Sequence, residues 1–165
     1  MATATEDQIR QVALQYGVDP AIALAVAQQE SGFDQGARGS SGEVGIFQLM
    51  PATARGLNVD PYNQSQNIQG GVSYLAELYA RFGDWTRALA GYNGGTNPPA
   101  VSYRYADSVL ETATLYGAPA PSTNPPAAGG VPEQASIFRG VADIPVWAWL
   151  TLASVAVGAL VLRRD

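Results

Sequence analysis

Glu30 is the residue of this chain best placed for acid–base chemistry. It follows the apolar run Ala21–Ala27. A charge at the end of an apolar helix is costly unless it is paired or kept protonated. A carboxyl kept protonated by burial can donate a proton near neutral pH. The composition narrows the choices further. The chain has no histidine and no cysteine. That excludes Ser-His-Asp and Cys-His catalysis, His-ligated zinc, thiolate metal sites and disulfides. Acid–base work is left to carboxylates, tyrosines or arginines, and of these only carboxylates titrate in a useful range.

Glu30 does not stand alone. It is followed by Ser31, then by a loop with Gly32, Gly36, Gly39, Gly42 and Gly45. Next comes Gly42-x-x-Gly45-x-x-Gln48-x-Met50-Pro51-x-Thr53-Ala54. Downstream lies Ala88-Leu89-x-x-Tyr92-Asn93-x-Gly95, and a shorter piece, Tyr105-Ala106-x-x-Val109. In order and spacing these motifs resemble the catalytic domain of the soluble lytic transglycosylases, which are related in fold to goose-type lysozyme. The resemblance covers roughly the first two-thirds of the chain, about one small domain.

The resemblance implies a single catalytic carboxylate, Glu30, acting on peptidoglycan. It implies attack by the sugar's own 6-hydroxyl, assisted by its N-acetyl group, to give a 1,6-anhydro end. Substrate assistance of this kind is an exception to the two-carboxylate rule for glycosidases. The positions matching the family's cleft are Ser31, Gln48, Met50, Tyr92, Asn93 and Tyr105. Gln48 can offer a donor and an acceptor to an acetamido group. Tyr92 can bond the Glu30 carboxyl or lie against a sugar face. Met50 and Tyr92 can equally be core, Ser31 can equally cap the loop, and Thr53 reads as a hydroxyl of a helix first turn. Asp34, Glu43 and Asp60 match no family catalytic position. Two departures stand out. Gly39 occupies the place of a cleft-lining serine, and Val101 stands where many members carry an acidic residue. No metal or other cofactor is expected. The alternatives are a lysozyme-like hydrolase that uses water, and a non-catalytic wall-binding or membrane structural protein.

The net charge of −5 argues against nucleic acid as a partner, because phosphate binding needs a basic face. All nine basic residues are arginine. The first residues lack the basic and apolar regions of a cleavable secretory signal.

The elements that must position these residues read as helices. Thr5 with Gln8 has the form of a capping box, followed by Ile9, Val12, Ala13 and Tyr16 at helical spacing and by Gly17 at the end. Asp19-Pro20 starts a second helix, apolar nearly all round and so expected to be central, that runs to about Glu30. Pro51 opens a short helix. A longer one is predicted over 65–82, where the adjacent Gly70 and Gly71 suggest close helix packing. Asp84 caps a helix through Tyr92. After Asn97-Pro98-Pro99, Ser102 or Tyr103 starts a last helix, ended by Gly117. A small hairpin fits the Gly-rich loop. The fold class is therefore mainly α, a lysozyme-like helical domain over 1–117.

From 118 to 143 the composition turns to Pro, Ala, Gly, Ser and Thr, as in a flexible linker. From Ile144 to Leu162 there is no charge. Its roughly 19 residues reach about 28 Å as a helix, near the hydrocarbon thickness of a bilayer. Trp147 and Trp149 lie at one end, and Arg163-Arg164 close the other. This reads as a single C-terminal transmembrane helix with the arginines inside and the enzyme domain on the periplasmic or outer side. The expected partners are peptidoglycan strands and a lipid membrane. The setting is a bacterial inner membrane or, favoured by the small size, the membrane of a phage virion.

Overall fold

The computed structural model describes residues 2–118. They form six helices: α1 Ala4–Tyr16, α2 Pro20–Ser31, α3 Pro51–Gly56, α4 Gln64–Phe82, α5 Trp85–Gly94 and α6 Ala100–Leu115. The mainly α expectation holds over this region. The expected transmembrane helix, and all of the linker but Ala118, lie outside the described residues. Among the described residues no helix is long and apolar enough to cross a membrane.

Helix α1 begins two residues earlier than the sequence reading places it. Thr3, not Thr5, is the N-cap, and it forms the reciprocal capping box with Glu6. Both pairs fit the pattern, but only Glu6 reaches back to the Thr3 amide. Helix α2 starts as predicted. Asp19 Oδ1 accepts from the Ala21 amide at 2.8 Å, and Pro20 opens the first turn. Every residue from Ala21 to Ala27 is buried. Small side chains let neighbours close in on all sides, and α2 packs against both α1 and α6. Gly32, left-handed at φ 62°, stops it immediately after Ser31.

Helices α4 and α5 are capped by Asn63 and Asp84, whose side chains accept from the amides of Gln66 and Arg87. Helix α4 packs on α1 and α5, and α5 packs on α6. Helix α6 starts at Ala100, before the predicted serine. Pro99 occupies its N-cap, and Ser102 is buried inside the helix rather than capping it.

The segment between α2 and α3 is a loop tied down by isolated bridges, Arg38 with Val44 and Val44 with Leu49. The small hairpin is thus reduced to paired single residues. Val44, Ile46, Phe47 and Leu49 all point into the core. The Gly70-Gly71 pair does serve close packing, but its partner is not a helix. A Cβ on Gly71 would overlap the Phe47 ring, and one on Gly70 would press on Val59 and Leu49. Helix α4 is therefore the bed on which the loop rests.

Candidate active site

Glu30 sits in the last turn of α2, half-buried, where the all-apolar stretch gives way to the exposed Gln28 and Gln29. The Tyr105 hydroxyl of α6 donates to its Oε1 at 2.5 Å. Burial pushes the carboxyl above the usual carboxylate range, the Tyr105 bond pulls it down, and the Glu43 charge pushes it up again. The ordering matters. The dominant influence is desolvation, which favours the neutral acid that proton donation requires.

Two tyrosines flank this carboxyl. Tyr105 holds it directly. Tyr92 donates its hydroxyl to the Phe47 carbonyl at 2.7 Å instead. Both hydroxyls are held well above their ordinary range, by burial first and then by the Glu30 charge. The shift favours the neutral hydroxyls, which can donate hydrogen bonds. Tyr92 also leans on Tyr74 of α4, ring centres 5.4 Å apart.

Tyr92 borders an open cleft of about 500 Å³. Its lining is drawn from Gln48, Met50 and Thr53 around the start of α3, Tyr74 of α4, and the stretch from Tyr92 to Asn97. Gln48, Met50, Tyr92 and Asn93, expected from sequence to line a cleft, are thus brought together. Met50 is 40% exposed, so its side chain is available at the surface of the cleft rather than spent in the core. Gln48 adopts φ 43°, a conformation uncommon outside glycine, and its Nε2 donates to the Gly45 carbonyl at 2.8 Å. The Asn93 Oδ1 accepts from Ser102 at 2.9 Å, which orients its amide.

Ser31 is placed differently. Its Oγ donates to the Ile46 carbonyl at 2.9 Å and accepts from the Asp34 amide at 3.1 Å. Of its two readings, this geometry is loop capping. The bond ties the end of α2 to the loop and so fixes Glu30 against it.

Three contributors were not singled out from the sequence. Asn67 is fully buried in α4. Its Nδ2 donates to the carbonyls of Val44 and Pro61, and its Oδ1 accepts from the Phe47 amide. It thereby sets the Phe47 carbonyl that receives Tyr92. A lone asparagine among the apolar positions of a helix was the available signal. Tyr74 and the bend at Thr96 and Asn97 after α5 are the others, and nothing local distinguishes them from core and connector. Among the described residues, no group of His, Cys, Asp and Glu could hold a metal ion.

Comparison with known proteins identifies the family and the fold. The transglycosylase SLT domain matches residues 7–111, a span containing Glu30 and all six cleft candidates. A transglycosylase of Enterobacteria phage PRD1 is 35% identical over 150 residues, covering 88% of this chain and 56% of the phage protein. A membrane-bound lytic murein transglycosylase F of Desulfosudis oleivorans is 42% identical over 95 residues, 53% of this chain and 21% of that protein. The chain thus spans just over half of the first relative and about a fifth of the second. Among solved structures, an inactive mutant of the lytic transglycosylase Slt from Pseudomonas aeruginosa superposes with a TM-score of 0.62. It is 25% identical and covers 69% of this chain and 24% of its own. The 70 kDa soluble lytic transglycosylase of Escherichia coli, 23% identical, shares the fold with a TM-score of 0.61 over 67% of this chain and 23% of its own. With its helical fold, its carboxyl at the end of an apolar helix and a domain match over most of the described residues, this chain belongs to the transglycosylase SLT domain family.

Proposed function

We propose that the protein is a peptidoglycan lytic transglycosylase in which Glu30 is the sole catalytic acid and base. The observation that carries the reading is the setting of Glu30: half-buried, raised by desolvation and held by one tyrosine. The protonated Glu30 gives its proton to the oxygen linking MurNAc to GlcNAc as the C1–O bond breaks. The carbonyl oxygen of the N-acetyl group closes on C1 and takes up the developing positive charge. In the second step the sugar's 6-hydroxyl oxygen bonds to C1, the acetamido oxygen leaves, and Glu30 takes the hydroxyl proton. Glu30 ends protonated, and the product carries a 1,6-anhydro ring.

Tyr105 fixes the carboxyl so that Oε1 is engaged and Oε2 carries the transferable proton. Gln48, Met50, Tyr92 and Asn93 bind the glycan. Ser31 acts through the loop it fastens. Residues 144–162 anchor the domain in a membrane through the 118–143 linker, on the strength of their charge-free run and its aromatic and basic flanks. The biological task that suits a small tethered enzyme of this kind is local opening of the wall, by a phage during infection or by a cell remodelling its envelope.

The test of the acid is Glu30→Gln, nearly isosteric but unable to donate. Clearing of a peptidoglycan gel should fall by about 10²–10⁴-fold with the fold kept. Full clearing by a folded Glu30→Gln protein would remove Glu30 from its role.

A further inference from the structure

A buried hydroxyl stands behind one wall of the cleft. Ser102 lies in the first turn of α6 and is 1% exposed. Its amide donates to the Pro99 carbonyl at 2.9 Å. Its Oγ donates to Asn93 Oδ1 at 2.9 Å, across to the last turn of α5. Gly94 supplies the room. A Cβ there would overlap the Ser102 hydroxyl and press on the Pro99 ring, so α6 comes this close only past a residue without a side chain.

That contact sets the polarity of Asn93. An amide side chain can ordinarily turn either its carbonyl or its NH₂ outward. Here the two orientations are not equivalent. Among the described residues, Asn93 Oδ1 is the one acceptor within reach of the Ser102 hydroxyl. Turned over, the amide would donate to Ser102 Oγ, and the buried hydroxyl proton would be left without an acceptor. Oδ1 is therefore held back against α6. Nδ2 has no partner among the described residues, and Asn93 is exposed on the lining of the cleft.

We propose that Ser102 is a positioning residue that fixes Asn93 as a hydrogen-bond donor toward the cleft, so that this position takes an acceptor oxygen of the glycan. The oxygen is the carbonyl of an N-acetyl group or a sugar hydroxyl. A carbonyl can only accept and so gains most from a donor held in place, whereas a hydroxyl adapts to either face. Holding the amide before the sugar arrives also removes the cost of ordering it on binding. The inference rests on the reading of the cleft as the glycan site.

The test compares full-length wild type with Ser102→Ala and Asn93→Asp. Asn93→Asp keeps an acceptor for Ser102 but offers the cleft no donor. Kd is measured for two β-1,4 tetramers, chitotetraose with its N-acetyl groups and cellotetraose without them. KM and kcat are measured on peptidoglycan, and Tm by thermal unfolding. Ser102→Ala should raise the chitotetraose Kd and the KM roughly 2- to 10-fold, the worth of one hydrogen bond, with kcat nearly kept. Asn93→Asp should lose more. A loss confined to chitotetraose identifies the acetamido carbonyl as the acceptor, and an equal loss on cellotetraose identifies a hydroxyl. A lower Tm in Ser102→Ala with Kd and KM unchanged would overturn the proposal and leave Ser102 as a tie between α5 and α6. An unchanged Kd in Asn93→Asp would overturn it as well, even if Ser102→Ala does not fold. Wild type that fails to bind chitotetraose at all would overturn the glycan reading of the cleft itself, a failure distinct from the other two.

Discussion

The choice between Tyr92 and Tyr105 decides how the acid is held, and the sequence could not make it. Both tyrosines sit in family-like motifs, thirteen positions apart on different helices, and the sequence reading offers Tyr92 alone as a partner for the Glu30 carboxyl while leaving Tyr105 among the cleft positions. Geometry assigns them opposite jobs. Tyr105 donates to Glu30, while Tyr92 spends its hydroxyl on the Phe47 carbonyl. Glu30 itself was legible, because a carboxylate after seven apolar residues has no cheap alternative to protonation or pairing. The distinction gives a signed prediction. The Tyr105 bond stabilises the ionised carboxylate and lowers its pKa. Tyr105→Phe should therefore move the alkaline limb of the kcat profile to higher pH, because the neutral acid is the active form. Turnover on the plateau should also fall, as the carboxyl loses the partner that orients it. A pH–rate series on the variant checks both, and a limb that stays put or moves down contradicts the assignment.

At the level of elements, what was legible followed from local chemistry. The start of α2 at Asp19-Pro20, its stop at Gly32 and the Asp84 cap are all written in residues adjacent to the boundary. The rest depended on contacts distant in sequence. Two overlapping capping patterns competed at the first helix. Ser102 looked like a cap and is a buried donor to Asn93. Gly70-Gly71 signalled close approach without revealing that Phe47 of the loop fills the space. The most consequential of these distant links is Asn67, which holds the loop onto α4 with two hydrogen bonds and the Pro61 carbonyl with a third. Asn67→Ala leaves the buried Phe47 amide without a partner, at about 1–3 kcal/mol, and removes hydrogen bonds to the Val44 and Pro61 carbonyls, at about 0.5–1.5 kcal/mol each. Thermal unfolding should show a loss of at least about 2 kcal/mol, a Tm drop on the order of 10 °C for a domain of this size. Activity should fall as well, since the Tyr92 bond to Phe47 is set by the same asparagine. A variant within a degree or two of wild type would mean that the loop holds itself.

For the whole molecule, the proposed partition is between a catalytic unit and a segment that locates it. Every family-like residue precedes Gly117, and the charge-free run is confined to 144–162. A chain cut after Gly117 should stay monodisperse without detergent and still cleave purified peptidoglycan, whereas the full chain should float with lipid vesicles. An arginine at the middle of the run, Val155→Arg, costs about 2.5–3.5 kcal/mol on insertion scales and should release the chain from the vesicles. Insolubility of the shortened chain, or a full chain that ignores lipid, would contradict the partition. The chemistry is tested most directly by the products. Purified peptidoglycan treated with the full-length protein should yield muropeptides ending in 1,6-anhydro-MurNAc by mass spectrometry, and Glu30→Gln should yield none. Reducing MurNAc ends, each heavier by one water, would show that water is the attacking group and that the protein is a hydrolase.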